Sequence, residues 1–226
     1  MRRFIIFCFF VLANVFVSAQ KITRVTITGS GITEMVTVKL NDNAIVNLSL
    51  TGNVINYGME YFSERVSNYS RLENYNGRVE MYAATDDNAS AGKVKYIGGT
   101  AITYYASYED ESLRGKIKMI GTLAINYYMP YENELEKGKI KNIGSSSFTY
   151  YSSFDNADLK GKLKSIGTTN LNYYSSFDDK AFRGKIKSIG YISFTYYSSY
   201  EKQFAGAMKT GNVFQNLVAG INFVIT

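Results

Sequence analysis

Histidine and tryptophan are absent from the 226 residues, and cysteine and proline occur once each. Without imidazole the chain lacks the usual general base near neutral pH and the commonest transition-metal ligand. That excludes a Ser-His-Asp triad, a Cys-His pair and a histidine-built zinc site. A lone cysteine makes no internal disulfide. What is present instead is aromatic: 20 Tyr and 14 Phe, in a chain 46% hydrophobic. This is the composition of a foldable globular protein, neither disordered nor collagen-like.

The chain opens Met1-Arg2-Arg3 and runs apolar from Phe4 to Val17, with small residues at Val17-Ser18-Ala19. A basic start, a short apolar run and a small-residue site read as a secretory signal peptide, residues 1–19, cut after Ala19. The apolar run is too short for a helical span, which needs about 20 residues, so no transmembrane segment is expected in the mature chain. Cys8 lies inside the leader, which leaves a mature protein without cysteine, held together by burial and strand pairing. With Arg2 and Arg3 removed, the net charge falls from +6 to +4, too weak to argue for nucleic acid.

Self-similarity organises most of the remaining chain. Gly92-Lys93-Val94-Lys95-Tyr96-Ile97-Gly98 returns at Gly115, Gly138, Gly161 and Gly184 as Gly-Lys-Ile/Leu-Lys-x-Ile-Gly, a period of 23 residues without slippage. A second block keeps step: Tyr104-Tyr105, Tyr127-Tyr128, Tyr150-Tyr151, Tyr173-Tyr174 and Tyr196-Tyr197. Each pair is followed by an aromatic (Tyr108, Tyr131, Phe154, Phe177, Tyr200) and then an acid (Glu109, Glu132, Asp155, Asp178, Glu201). Within a unit, Lys185–Ile189 and Ser193–Ser199 are β-branched and aromatic, alternate in part, and are bounded by glycine. They predict two strands.

Two architectures fit a strand pair per repeat. A β-solenoid would stack Lys93, Lys116, Lys139, Lys162 and Lys185 in one column about 4.8 Å apart, and like charges side by side are destabilising. It has in its favour that Gly190-Tyr191-Ile192 is a poor turn sequence. In an antiparallel meander a tyrosine strand separates successive lysine strands and lays lysine stems against rings, where cation–π contact contributes about 0.5 to 1 kcal/mol. The expected fold is therefore all-β, a meander of tandem 23-residue strand-pair repeats, with the solenoid as the alternative.

Residues 20–91 are less regular but predict three antiparallel strands at Val25–Thr28, Met35–Leu40 and Ala44–Leu50, divided by Gly29-Ser30-Gly31 and Asn41-Asp42-Asn43. Gly77–Tyr82 reads as a shortened heptad and Ala207–Gly211 as a decayed one, the atypical ends that repeat arrays need. The expected organisation is a leader (1–19), an N-terminal β region continuous with the array (20–91), five repeats (92–206) and C-terminal capping strands (207–226).

In these motifs, residues 92–206 resemble MORN-type repeats, particularly the bacterial form Gly-Lys-Leu-Lys-Ser-Glu-Gly with a tyrosine-rich strand; the Gly-x-Trp strand of that family has no counterpart here. The resemblance implies the strand-pair architecture. The stretch from Ser18-Ala19-Gln20 to Phe177–Lys185 is also similar to secreted repeat proteins of Bacteroidota-type bacteria, which implies a secreted or periplasmic location in the cell envelope and no activity.

Motifs for chemistry are weak. Gly115-Lys116 and its copies lack the Ser or Thr and the helix of a phosphate loop, and Gly29-Ser30-Gly31 needs only a hairpin turn. Acidic loops such as Glu109-Asp110-Glu111 offer oxygens to calcium, but no glycine sits at a ligand spacing and a cation closes each loop. Repetition multiplies every side chain, whereas an active site needs one asymmetric constellation. The expected function is a non-catalytic binding or interaction module, without cofactor or metal, whose partner is an envelope glycan, a lipid headgroup or a protein. A self-assembling structural protein is the alternative. In a regular strand Tyr150 and Tyr151 point to opposite faces, so one tyrosine row is expected in the core, with Tyr150 in it. The other row, Tyr105, Tyr128, Tyr151, Tyr174 and Tyr197, forms the candidate surface with Lys116, Lys118, Lys139, Lys141, Lys162, Lys164, Lys185 and Lys187. The leader itself is directly testable: the intact mass of exported protein should correspond to a chain beginning at Gln20, and a mass retaining residues 1–19 would contradict the assignment.

Overall fold

A computed structural model describes residues 20–41, 43–62 and 70–226, so the expected leader lies outside the described residues. Within them the protein is all-β, without helix. Each repeat folds as an antiparallel hairpin. Its heptad strand (Val94–Ile97, Ile117–Ile120, Ile140–Ile143, Leu163–Ile166 or Ile186–Ile189) turns into a tyrosine strand (Thr100–Tyr104, Leu123–Tyr127, Ser146–Tyr150 or Thr169–Tyr173). In the fifth repeat Phe194 splits the tyrosine strand into Ile192–Ser193 and Thr195–Tyr196. Successive hairpins pair antiparallel, giving an eleven-stranded meander from Val79–Met81 to Ile192–Ser193 and a two-stranded extension of Thr195–Tyr196 with Met208–Thr210.

The turns explain the glycine of Ile-Gly. In Ile120-Gly121-Thr122-Leu123, Ile120 pairs with Leu123, so the connection has two residues. Gly121 has a φ of 55°, and all five equivalents lie between 54° and 57°, while no residue after them has positive φ. Positive φ at the first central position alone is the type II′ hairpin pattern, which matches strand twist and accepts most residues second. Gly190-Tyr191, unpromising as a turn in sequence, is one.

The isoleucines of the heptad stand three apart, a spacing that alternation would send to opposite faces. Both are nevertheless buried, as with Ile117 and Ile120. The cause is a register shift repeated in every unit: Thr103 faces Met119 but Tyr104 faces Ile117, which leaves Lys118 as an extra residue. Such a β-bulge turns two consecutive side chains to one face. Here it sends Lys118 and Met119 outward and resets both isoleucines inward.

The second sheet has seven strands in the order Asn216–Val218, Ile221–Ile225, Lys21–Ile27, Thr33–Lys39, Ala44–Leu48, Val54–Phe62, Ser70–Glu73. Only the pairing of Lys21–Ile27 with Ile221–Ile225 is parallel. The three strands expected between residues 25 and 50 are present. The C-terminal strands add to this N-terminal sheet, and Val25, Ile27, Val36, Val38, Leu40 and Leu48 share one core with the inward residues of the array. Turns of the smaller sheet reach the ends of the heptad strands: Ile140 N donates to Leu50 O (2.7 Å) and Ile117 N to Gly52 O (3.2 Å). Gly52, at φ 82°, has no room for a side chain because a Cβ would lie 2.0 Å from the Tyr127 hydroxyl.

Gly77–Tyr82 differs from expectation. Val79–Met81 pairs with the heptad strand Val94–Ile97 in the register and with the bulge of a tyrosine strand, and Tyr82 takes the place of a second tyrosine. It is a preceding tyrosine strand, not a shortened heptad. Met208–Thr210 does occupy a heptad-strand position beside Thr195–Tyr196. The bulge predicts unequal mutational costs within one strand: Ile140→Ala should lower stability by about 2–5 kcal/mol, whereas Asn142→Ala, on the outer face, should stay within about 0.5 kcal/mol, as read from urea midpoints.

Candidate binding surface

The two tyrosine rows do not stand on separate faces. After the bulge the strand ends at the first tyrosine, and the second swings toward the next repeat. Tyr151 meets Tyr173 edge to face with centroids 5.8 Å apart, and the same contact joins Tyr82 to Tyr104, Tyr105 to Tyr127, Tyr128 to Tyr150 and Tyr174 to Tyr196. Tyr150 is core, as expected, and Tyr151 is buried too. Hydroxyls follow the same logic. Tyr150 donates to Ile140 O within its repeat (2.8 Å), while Tyr151 donates to Leu171 O of the following one (3.0 Å). The exception is Tyr196, whose buried hydroxyl has no partner, beside the break at Phe194.

The lysines divide into two columns. In the first, Lys116, Lys139, Lys162 and Lys185 lie over Tyr127, Tyr150, Tyr173 and Tyr196, 4.8 to 5.2 Å from ring centroids. The ammonium groups of Lys116, Lys139 and Lys162 donate to the carbonyls of Gly138, Gly161 and Gly184 in the next repeat, and Lys185 donates to Gly206 O at the end of the fifth. Lys116 also donates to Thr51 O and Lys162 to Ser30 O, in turns of the smaller sheet. Burial pushes Lys116, Lys139 and Lys162 below the ordinary lysine value. This column braces repeat to repeat.

The second column faces outward. Lys118, Lys141, Lys164 and Lys187 lie over Tyr105, Tyr128, Tyr151 and Tyr174 at 5.1 to 5.2 Å, and Lys209 takes the same position over Tyr197. Lys118 pairs with Glu109 (2.8 Å) and Lys141 with Glu132 (2.5 Å). The hydrogen bonds from Lys118 and Lys141 hold both carboxylates below their ordinary value. Beside this column the outward strand positions form a polar strip: Thr149 bonds Ser165 (2.6 Å), Asn172 bonds Ser188 (2.9 Å) and Thr195 bonds Thr210 (2.6 Å). A shallow groove of about 590 Å³ opens on it, lined by Tyr151, Tyr174, Lys187, Asn172 and Ser188 among others.

At the rim stand residues that were visible in sequence as a periodic aromatic but not placed in the candidate surface. Tyr108, Tyr131, Phe154, Phe177 and Tyr200 are 86, 82, 96, 93 and 90% exposed. The loop turn puts them there. Asp155 accepts the backbone N–H of Ser152 (2.6 Å) through its carboxylate while its own N–H donates back to Ser152 O, a reciprocal turn with Phe154 at its apex. Equivalent turns form at Ala106–Glu109, Met129–Glu132, Ser175–Asp178 and Ser198–Glu201. Neighbouring loops are tied as well: Asp87 accepts from Ser107, Asn156 exchanges bonds with Ser176, and Asp179 accepts from Ser199. The corresponding partner position for Asp110 is Pro130, which has no N–H, and Asp110 instead accepts from Ser112.

Compared with family models, curated proteins and solved structures, the chain finds no match. Among the described residues no helix is long and apolar enough to cross a membrane.

The buried tyrosines generate a pH prediction. Burial raises Tyr127, Tyr150 and Tyr173 well above 10.0, the ordinary value. A folded value above the unfolded one gives stability that is complete below pH 10 and falls as pH rises further, because the unfolded chain releases the proton first. The depressed lysines act in the opposite direction, but they are half-exposed and screened. Alkaline titration followed by phenolate absorbance should show a class of tyrosines silent past pH 10 that ionises together with loss of β-sheet circular dichroism.

Proposed function

We propose that the protein is a secreted, non-catalytic binding module of the bacterial envelope, and that it binds through the outer strip of the array: the loop-tip aromatics, the outward lysines and the polar strand positions beside them. The observation that carries this reading is the row of five rings, each more than four-fifths exposed, on loops fixed by hydrogen bonds. Single exposed apolar residues are ordinary on protein surfaces. Five in phase, at equivalent positions of an ordered array, form a repeated patch of the kind that marks interaction sites.

The tyrosines and lysines of the candidate surface divide under this reading. Tyr105, Tyr128, Tyr151 and Tyr174 support the outward lysines that cover them, and Lys116, Lys139, Lys162 and Lys185 act as braces. A non-catalytic role is supported by the use of the loop acids: Glu109, Glu132, Asp155 and Asp178 cap their own turns, and Glu109 and Glu132 also neutralise lysines. Self-assembly through open edges is less favoured. The terminal strands of the array, Val79–Met81 and Met208–Thr210, have three residues each and include Glu80 and Lys209. Short charged edges blunt strand addition.

The test is to replace Tyr108, Tyr131, Phe154, Phe177 and Tyr200 together by serine. The urea midpoint should stay within the error of the wild type, since these rings bury nothing. Cosedimentation of the mature protein with isolated bacterial envelope fragments should fall at least tenfold. Unchanged cosedimentation would remove the row from the binding surface.

A further inference from the structure

We infer that the outer strip binds an extended β-1,4-linked glycan laid across the strands along the repeat axis, with one loop-tip ring for each disaccharide. This rests on the proposed binding surface and gives it a ligand class.

The period of the array favours such a polymer. Each repeat advances the sheet by two strands, so equivalent loop tips follow one another at about 10 Å, twice the strand separation. Two sugar residues of an extended β-1,4-linked chain span this distance, and such a chain presents the same ring orientation again at every second residue. A repeating protein surface thus meets a repeating polymer in step, and Tyr108, Tyr131, Phe154, Phe177 and Tyr200 each meet an equivalent sugar.

The chemistry of the strip points the same way. Aromatic faces accept the C–H faces of sugar rings, and the hydroxyl and amide edges of the chain need donors and acceptors beside them. The strip provides both at four successive junctions, where Asn126 and Asn142 lie opposite one another across two strands, as do Thr149 with Ser165, Asn172 with Ser188 and Thr195 with Thr210, whereas nearer the start of the array Thr103 faces Met119. The groove of about 590 Å³ by Tyr151 and Tyr174 opens on the strip and is not an enclosed small-molecule cavity.

Charge separates the glycan from a lipid surface. Each exposed ring is followed by a carboxylate: Glu109, Glu132, Asp155, Asp178 or Glu201. These carboxylates face the outward lysines, Glu109 paired with Lys118, Glu132 with Lys141 and Glu201 with Lys209, so the strip offers anionic headgroups little uncompensated positive charge. A glycan edge, by contrast, hydrogen-bonds to carboxylates without desolvating them fully. The observations therefore favour a glycan.

The test uses the mature full-length chain with soluble β-1,4-linked oligosaccharides of two to ten residues, in an N-acetylglucosamine series and a glucose series, monitored by calorimetry. Purified peptidoglycan sacculi, a natural β-1,4-linked source, and phosphatidylcholine–phosphatidylglycerol vesicles form separate arms. Affinity should rise roughly threefold to tenfold for each added disaccharide, as further rings engage, and level off near ten residues. Serine at Phe154 and Phe177 should remove about two of those steps without shifting the urea midpoint. Asn126→Ala with Asn172→Ala should weaken binding while the length dependence persists. Absence of binding in both series and to sacculi, or affinity independent of length, would overturn the glycan assignment. Vesicle binding that depends on the five rings, without glycan binding, would overturn it too yet leave the ring row as the binding surface. If glycan or vesicle binding survives removal of all five rings, both the assignment and that surface fail.

Discussion

Contact between a tyrosine and the repeat that follows it is what the structure depends on. A single hairpin of this kind has two short strands and cannot be stable alone, so the stability of the array lies in what passes between units. Besides the strand pairing, three side-chain interactions cross each junction. The second tyrosine donates its hydroxyl to a carbonyl 20 residues ahead, as Tyr128 does to Phe148. Its ring meets the first tyrosine of the next repeat edge to face. The first lysine reaches the glycine carbonyl 22 residues ahead, as Lys139 does to Gly161. The ring and both polar atoms are partly withdrawn from water, so a lost partner leaves a part-buried donor or acceptor unsatisfied. The orphaned hydroxyl of Tyr196 marks the place, beside Phe194, where the array loses this regularity.

The bulge and the tyrosine ladder depend on each other. A bulge leaves one residue out of the strand ladder, and in each of the four regular repeats the first tyrosine donates its hydroxyl to the carbonyl of the residue just before the extra lysine: Val94, Ile117, Ile140 and Leu163. Without the bulge the heptad would show one isoleucine to water. With it, both isoleucines and the first tyrosine share the inner face, the lysine two residues before the bulge becomes the inter-repeat brace, and the bulged lysine itself joins the outward column.

Much of this was legible in the sequence. The 23-residue period, the strand pair and the preference for a meander followed from spacing and from repulsion between stacked lysines, and the ammonium groups do lie about 5 Å from tyrosine centroids. What alternation could not reveal was the bulge, because Ile-Lys-x-Ile fits neither one face nor two until an extra residue is allowed. The same gap put Tyr150 and Tyr151 on opposite faces and gave Gly77–Tyr82 the wrong phase, which its single tyrosine does not betray. The parallel pairing of Lys21–Ile27 with Ile221–Ile225 joins segments nearly 200 residues apart, and no local pattern specifies so distant a partner.

The loop-tip aromatics were visible as a period but not as a surface, since composition cannot distinguish a ring bound for the core from one held in water. The decision is made by the acid that follows. Its carboxylate caps the turn three residues back, which fixes the chain in a tight bend and forces the residue before it to the apex. A loop free to rearrange could fold such a ring against nearby apolar surface. A capped loop, tied in most repeats to its neighbour through Asp or Asn and Ser, withholds that option. The backbone beneath the exposed rings is thus held by these hydrogen bonds, and under the proposed binding role it would lose little conformational entropy on association. In an array held this rigidly at every junction, exposure of an apolar side chain is imposed by the same hydrogen bonds that set the repeat.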